Sequence, residues 1–199
     1  VENEGTSVRR VQLPLSEEVA RSLKVGEVLS LSGIIYTARD SAHKRIVASL
    51  DAGEPAPLPL EGAVIYYVGP TPPKPGQVIG SAGPTTSGRM DAWAPLLITR
   101  GLRAMIGKGP RSAAVVEACR EHGAVYLAAT GGAGALLARS IKTAEVIAYE
   151  DLGPEAIRRL EVEDFPVVVV NDTRGGDLYK SGRERFAATL GDEDGPQAR

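Results

Sequence analysis

Residues 112–141 read SAAVVEACREHGAVYLAATGGAGALLARSI, and their order of elements decides the fold. Ser112–Gly123 places apolar residues at helical spacing and stops at a glycine, whereas Ala124–Ala129 is a short apolar run of strand length. Thr130–Ile141 then runs from a glycine loop into a second helical pattern. The same strand, polar or glycine-rich loop and helix recur outward in both directions. EVLSLSGIIYTAR (27–39) runs into SAHKRIVASLDAG (41–53). AVIYYVGP (63–70) is apolar and β-branched, and GSAGPTTSGRMDAWAPLLITRG (80–101) leads through a helix to MIGKGP (105–110). Strands that do not alternate need cover on both faces, so the class is α/β with a largely parallel or mixed sheet flanked by helices.

The flanks complete this outline. VRRVQLPL (8–15) reads as a strand, and SEEVARSLKVG (16–26) as a short helix opened by Ser16, with acids in its first turn. PTPPKPG (70–76) reads as an extended, exposed connection. After a strand in the region of Glu145, the pattern predicts a helix over Pro154–Leu160 and a strand over Pro166–Val170. Residues 1–7 form a flexible N-terminus, 8–186 a single domain, and 187–199 a disordered tail rich in charge, Gly and Pro.

Composition narrows the function. The 199 residues carry 23 Lys plus Arg against 25 Asp plus Glu, a net charge of −2, with no polybasic run, which disfavours nucleic acid as a partner. No apolar segment reaches the roughly 18–20 residues of a membrane helix, and VENEGTSVRR has no signal-peptide core, so the chain reads as soluble and cytoplasmic. One cysteine and two histidines exclude a disulfide within the chain, an iron–sulfur cluster held by this chain alone and a His-rich metal site.

Five constellations remain. In TARDSAHKR (37–45), Arg39 stands at the end of a strand beside the amides of a helix start, which is an anion site in outline. A solvated capping segment, with Asp40 as cap and His43 as a structural ring, fits the same residues. In GSAGPTTSGRMD (80–91), three glycines permit close backbone approach, with Thr85 and Arg89 four residues apart; a capped glycine turn is the alternative. Lys108 lies between two glycines at a strand end, as an amine aimed into a cleft or as a surface turn. Thr130–Ala135 is either an anion cradle or tight helix–sheet packing. NDTRGGD (171–177) follows the VVVV strand as a polar turn in which Asp172 either orients another group or only shapes the turn. Cys119, mid-helix, reads as a buried, inert thiol, and Trp93 with Tyr66 and Tyr67 as core or interface. Parallel strands point their carboxyl ends to one edge, where Arg39, Thr85, Arg89 and Lys108 suit a small dicarboxylate. The chain offers no strong general base, so this looks like half of a site.

TARDSAHKR, YYVGPTP, GSAGPTTSGRMD, GKGP, TGGAGAL and VNDTRGGDLY, in this order over residues 8–185, resemble the β subunit of class I fumarate hydratase and the similar β subunit of L-tartrate dehydratase. The resemblance implies a swivelling β/β/α domain working against a separate α subunit, which holds a 4Fe-4S cluster that this chain does not bind. It implies reversible hydration of fumarate to (S)-malate, or the tartrate reaction, and a chain inactive in isolation; half a site also calls for a partner, for which an α2β2 assembly is the expectation. By motif, Arg39, Thr85, Arg89 and Lys108 become substrate contacts. Thr85 becomes the candidate base or a positioning hydroxyl, with Asp40 and His43 supporting; His43 either orients the polar cluster or faces the subunit boundary. A stand-alone anion-binding module would bind phosphate unaided. A non-catalytic assembly subunit would leave the convergence of four polar side chains unexplained.

Overall fold

Alternation along the strands sorts the apolar side chains into two cores. The computed structural model describes residues 7–129 and 134–191. Five strands run in parallel neighbours: β1 (Val8–Gln12), β2 (Val28–Thr37), β3 (Val64–Tyr66), β4 (Ala104–Gly107) and β5 (Val125–Ala128). Two more strands, β6 (Ile141–Ala148) and β7 (Ile157–Asn171), join antiparallel. The 15-residue β7 pairs with β2 and with β5 as well as with β6. Pairing therefore runs β2–β3–β4–β5–β7 and back to β2, a closed ring with β1 and β6 attached.

Val64, Tyr66, Ala104, Ile106, Val125, Leu127, Val167 and Val169 belong to one core, filled further by Leu29, Leu31, Ile35 and Phe165. Ile65, Tyr67, Met105, Tyr126 and Val170 belong to the other. On that second side lie α2 (Asp40–Asp51), α3 (Ala94–Thr99) and α4 (Ala113–His122), which contribute Ile46, Leu97, Val115 and Cys119. Successive strand residues face opposite ways, so strands apolar throughout supply both cores, and the α/β class with a mixed sheet flanked by helices holds.

Local signals start the helices where the sequence reading puts them, although the first ends at Ser22, with Leu23 extended, rather than at Gly26. Ser16 Oγ accepts Val19 N–H at 3.2 Å and opens α1 (Glu17–Ser22). Ser112 caps α4, and Gly123 ends it at φ 70°, a left-handed conformation that suits glycine. Thr71–Val78, around the Pro-rich connection, is exposed.

The expected helix over Pro154–Leu160 is not formed. A 3-10 segment (Glu150–Glu155) ends there, and β7 begins at Ile157. Ladder pairing decided this: Arg158 and Arg159 lie opposite Val146 and Glu145 of β6, and Leu160 and Val162 turn into the core. The expected strand at Pro166–Val170 is only the far end of β7. A helix that the sequence reading did not anticipate, α6 (Leu178–Gly191), follows, with Asp177 Oδ1 accepting Tyr179 N–H and Lys180 N–H at its start. Gly134–Arg139 forms the short α5, while the preceding Thr130–Ala133 loop lies outside the described residues, as do residues 1–6 and 192–199.

Candidate functional site

The carboxyl ends of β2, β3 and β4 point to one edge, and each leads into a polar segment there. After β2, Arg39 is the N-cap of α2 and Asp40 its first residue. After β3, Tyr67 O accepts Thr85 N–H at 2.8 Å, which lays the GPTTSGR segment alongside that strand end. After β4, Lys108 donates its N–H to Thr85 O at 3.2 Å and accepts Ser87 N–H at 2.9 Å. Thr85 and Lys108 are thus joined through their backbones, and Arg89 follows on a 3-10 turn, Ser87–Met90.

Asp40 links the two arginines, with its oxygens 3.6 Å from Arg39 Nε and 3.9 Å from Arg89 Nη1. A second carboxylate, Glu155, stands 3.0 Å from Arg39 Nη2. Arg39 and Arg89 thus meet two carboxylates, and Lys108 adds a third cation on the adjoining strand end, which leaves a positive balance for an anion. Arg89, at 48% side-chain exposure, and Lys108 are open to solvent, whereas Arg39 is only 20% exposed. The edge can grip an anion, but a base stronger than a hydroxyl or an already paired carboxylate is not among these side chains.

His43 lies entirely inside the chain, so it does not face a boundary. Its Nδ1 is 2.8 Å from Arg39 O, and its ring stands edge-on to Tyr67 at 5.3 Å. Burial pushes its pKa down to about 4; the Arg39 carbonyl opposes this, Arg111 adds to it and Asp40 opposes it. The ring is therefore a neutral prop beneath the start of α2.

Sequence reasoning missed Glu155 and four further supports. Gly69 leaves room for Arg39: a Cβ there would lie 2.8 Å from Nη1. Asp91 staples the Thr85 segment to the Lys108 segment, since Oδ1 accepts from Arg111 Nε at 2.7 Å and Oδ2 from Ser112 N–H at 2.6 Å. The Arg111 guanidinium is fully buried over the rings of Tyr67 and Tyr126, at 5.3 and 4.9 Å. Tyr126 and Tyr179 hold Gly109: the Tyr126 hydroxyl donates to Gly109 O at 2.9 Å, and Gly109 N–H donates to the Tyr179 oxygen at 3.1 Å. Gly69, Asp91 and Tyr179 sit within motifs quoted above, so their signal was present without its partner. Glu155 carried none.

Other candidates are structural. Asp172 accepts Val25 N–H, Arg174 N–H and Gly176 N–H at 3.2, 2.9 and 2.9 Å and so shapes its turn. Cys119 is buried, and desolvation pushes its thiol up to about 12, which keeps it protonated and inert. An iron–sulfur cluster does not fit this donor set: the single thiol is inside the core, and no three His, Cys, Asp or Glu side chains gather to hold a metal among the described residues. Nor is any helix among the described residues long and apolar enough to cross a membrane.

Comparison with known proteins gives this edge a context. The chain is 42% identical over 182 residues to the anaerobic class I fumarate hydratase of Escherichia coli K12, and 43% over 157 residues to fumarate hydratase 2 of Leishmania major. Those matches cover 89% and 78% of this chain but 33% and 28% of the relatives, so the chain spans about a third of their length. A Methanocaldococcus jannaschii protein provisionally named L(+)-tartrate dehydratase subunit beta is 37% identical over 182 residues, with 88% of this chain and 93% of that protein covered. Residues 1–182, which hold every segment of the polar edge, match the family described as Fumarase C-terminus, and the chain belongs to that family.

Proposed function

We propose that this chain is the β component of an iron–sulfur hydro-lyase, a fumarate hydratase that interconverts fumarate and (S)-malate. The observation that carries the reading is the gathering of Arg39, Arg89, Lys108 and Thr85 at one sheet edge that lacks a strong base. A dicarboxylate needs cations fixed where enolate-like charge develops, on the carboxylate next to the carbon that exchanges a proton. Arg39 and Arg89 grip carboxylate oxygens with directed N–H donors, and Lys108 adds a point charge. Thr85, held on both sides by backbone bonds, presents its hydroxyl to the reacting carbon, as positioning group or as base with help from the partner.

The cluster belongs, in this reading, to a separate α subunit in a cytoplasmic α2β2 assembly, and it supplies Lewis-acid chemistry for the substrate hydroxyl. The isolated chain is inactive. Similarity to a protein named as a beta subunit, almost fully covered by this chain, supports the two-subunit arrangement and makes the β subunit of an L-tartrate dehydratase the alternative reading.

An anaerobic pull-down of the tagged chain from its source cells tests this, with the eluate assayed on fumarate, malate and tartrate. Co-elution of an iron-containing, cysteine-bearing partner with malate formation is the expected result. Turnover of tartrate alone moves the substrate assignment, and a chain that elutes alone and binds phosphate overturns the reading in favour of an independent anion-binding module.

A further inference from the structure

Glu155 reaches the polar edge from the connection between β6 and β7, far in sequence from every motif that supplies the site. Both of its oxygens are engaged at the start of α2. Oε1 is 3.0 Å from Arg39 Nη2, and Oε2 accepts Ser41 N–H at 3.3 Å. The carboxylate thus bridges the guanidinium to the first turn of the helix that Arg39 opens. Arg39 has little else to orient it: Nε is buried without a hydrogen-bond partner, and Asp40, at 3.6 Å, is beyond hydrogen-bonding distance.

The turn carrying Glu155 is itself fixed. Arg158 donates through Nη1 to Pro154 O and Ala156 O at 3.1 and 3.2 Å, and through Nη2 to Gly153 O at 3.0 Å. Thr37, two residues before Arg39, donates its hydroxyl to Ala156 O at 3.1 Å and accepts Arg158 N–H at 2.9 Å. The end of β2 and the Glu155 turn are therefore stapled together. A carboxylate anchored from both sides is built to stay when an anion arrives, rather than to swing away.

From this geometry we infer that Glu155 is a positioning residue that holds the Arg39 guanidinium in one orientation at the mouth of α2. The inference rests on Arg39 being a carboxylate clamp for the substrate. Glu155 does not touch the substrate; it limits the rotation of the group that does. The opposite role, a carboxylate occupying the substrate's own place, makes the opposite prediction.

In the assembled enzyme, Glu155→Ala raises KM about tenfold or more with a smaller change in kcat, because an unsteered clamp loses binding in ground and transition states alike. Glu155→Gln, which keeps one acceptor, falls between Ala and wild type. In an Arg39→Ala background, Glu155→Ala adds less than about a twofold further loss, since the residue acts only through Arg39. A KM that falls or stays level in Glu155→Ala, or a full additional loss in the Arg39→Ala background, overturns the inference. Wild-type turnover of fumarate or tartrate judges the clamp reading separately. If neither is turned over, nitrogen-15 NMR of the full chain still decides: hindered rotation of the Arg39 guanidinium in wild type and averaging in Glu155→Ala support positioning, while identical signals refute it.

Discussion

Removing Asp91 should unsettle the site from below. The Arg111 guanidinium has 0% side-chain exposure, and the Asp91 carboxylate, 15% exposed, is its ion-pair partner at 2.7 Å. Asp91→Ala leaves a buried cation uncompensated, a defect that costs about 3–5 kcal/mol in comparable sites. Two features pull the value to the lower end. The rings of Tyr67 and Tyr126, at 5.3 and 4.9 Å, still face the guanidinium, and the Ser112 N–H that also loses its acceptor is exposed and can turn to water. We expect about 3 kcal/mol, which for a domain of this size lowers Tm by about 6–12 °C. Urea denaturation of wild type, Asp91→Ala, Arg111→Met and the double variant forms the assay. The double variant should be no less stable than Asp91→Ala alone, because deleting the charge removes the penalty. A loss under about 1 kcal/mol for Asp91→Ala, or strictly additive single losses, would refute the stapling argument.

Three further expectations concern the same region. His43, pushed down to about 4 by burial in the folded chain against 6.5 when free, takes up its proton mainly on unfolding between those values, so its stabilising contribution is present above pH 6.5 and lost as pH falls towards 4. Wild type should lose about 2 kcal/mol more than His43→Phe between pH 8 and pH 5, and equal losses by chemical denaturation would count against it. Gly69→Ala places a methyl 2.8 Å from Arg39 Nη1; the flexible arginine yields, so kcat/KM should fall about 10–100-fold with Tm near wild type. Tyr179→Phe removes the acceptor for Gly109 N–H, so about 1 kcal/mol of stability should go, with kcat/KM falling several-fold as the Lys108 loop loosens.

Much of this arrangement was legible because local chemistry and global fold agree. Ser16, Ser112 and Gly123 act as caps where their residue types say they should, and the apolar β-branched runs at Val64–Tyr66 and Val125–Ala128 are strands with cover on both faces. Arg39 and Lys108 follow the ends of β2 and β4, and the glycine and hydroxyl pattern marked Thr85 and Arg89, which backbone bonds to Tyr67 and Lys108 bring back to the same edge. What escaped is long-range. PEAIRRL has helical composition, and only the ladder with β6 and β2 makes it a strand. Glu155 and Arg39 lie 116 positions apart, and no periodicity announces an ion pair across that distance. Arg111 carries no local signal in the sequence, and its burial follows from Tyr67, Met105 and Tyr126 facing the same side of three neighbouring strands.

The closure of the ring by β7 sets the order in which this polypeptide can mature on the ribosome. Val28 of the second strand pairs with Val168, 140 residues later, so the early strands emerge without the neighbour that completes their ladder. Contacts of such separation slow folding, because the chain entropy of closing the loop is lost before any pairing rewards it. Until Asn171 has been made, β2 and β5 each present an open edge to the cell. Fragments that stop short of Ile157 are therefore expected to aggregate, because the strand that covers both open edges is the last one made.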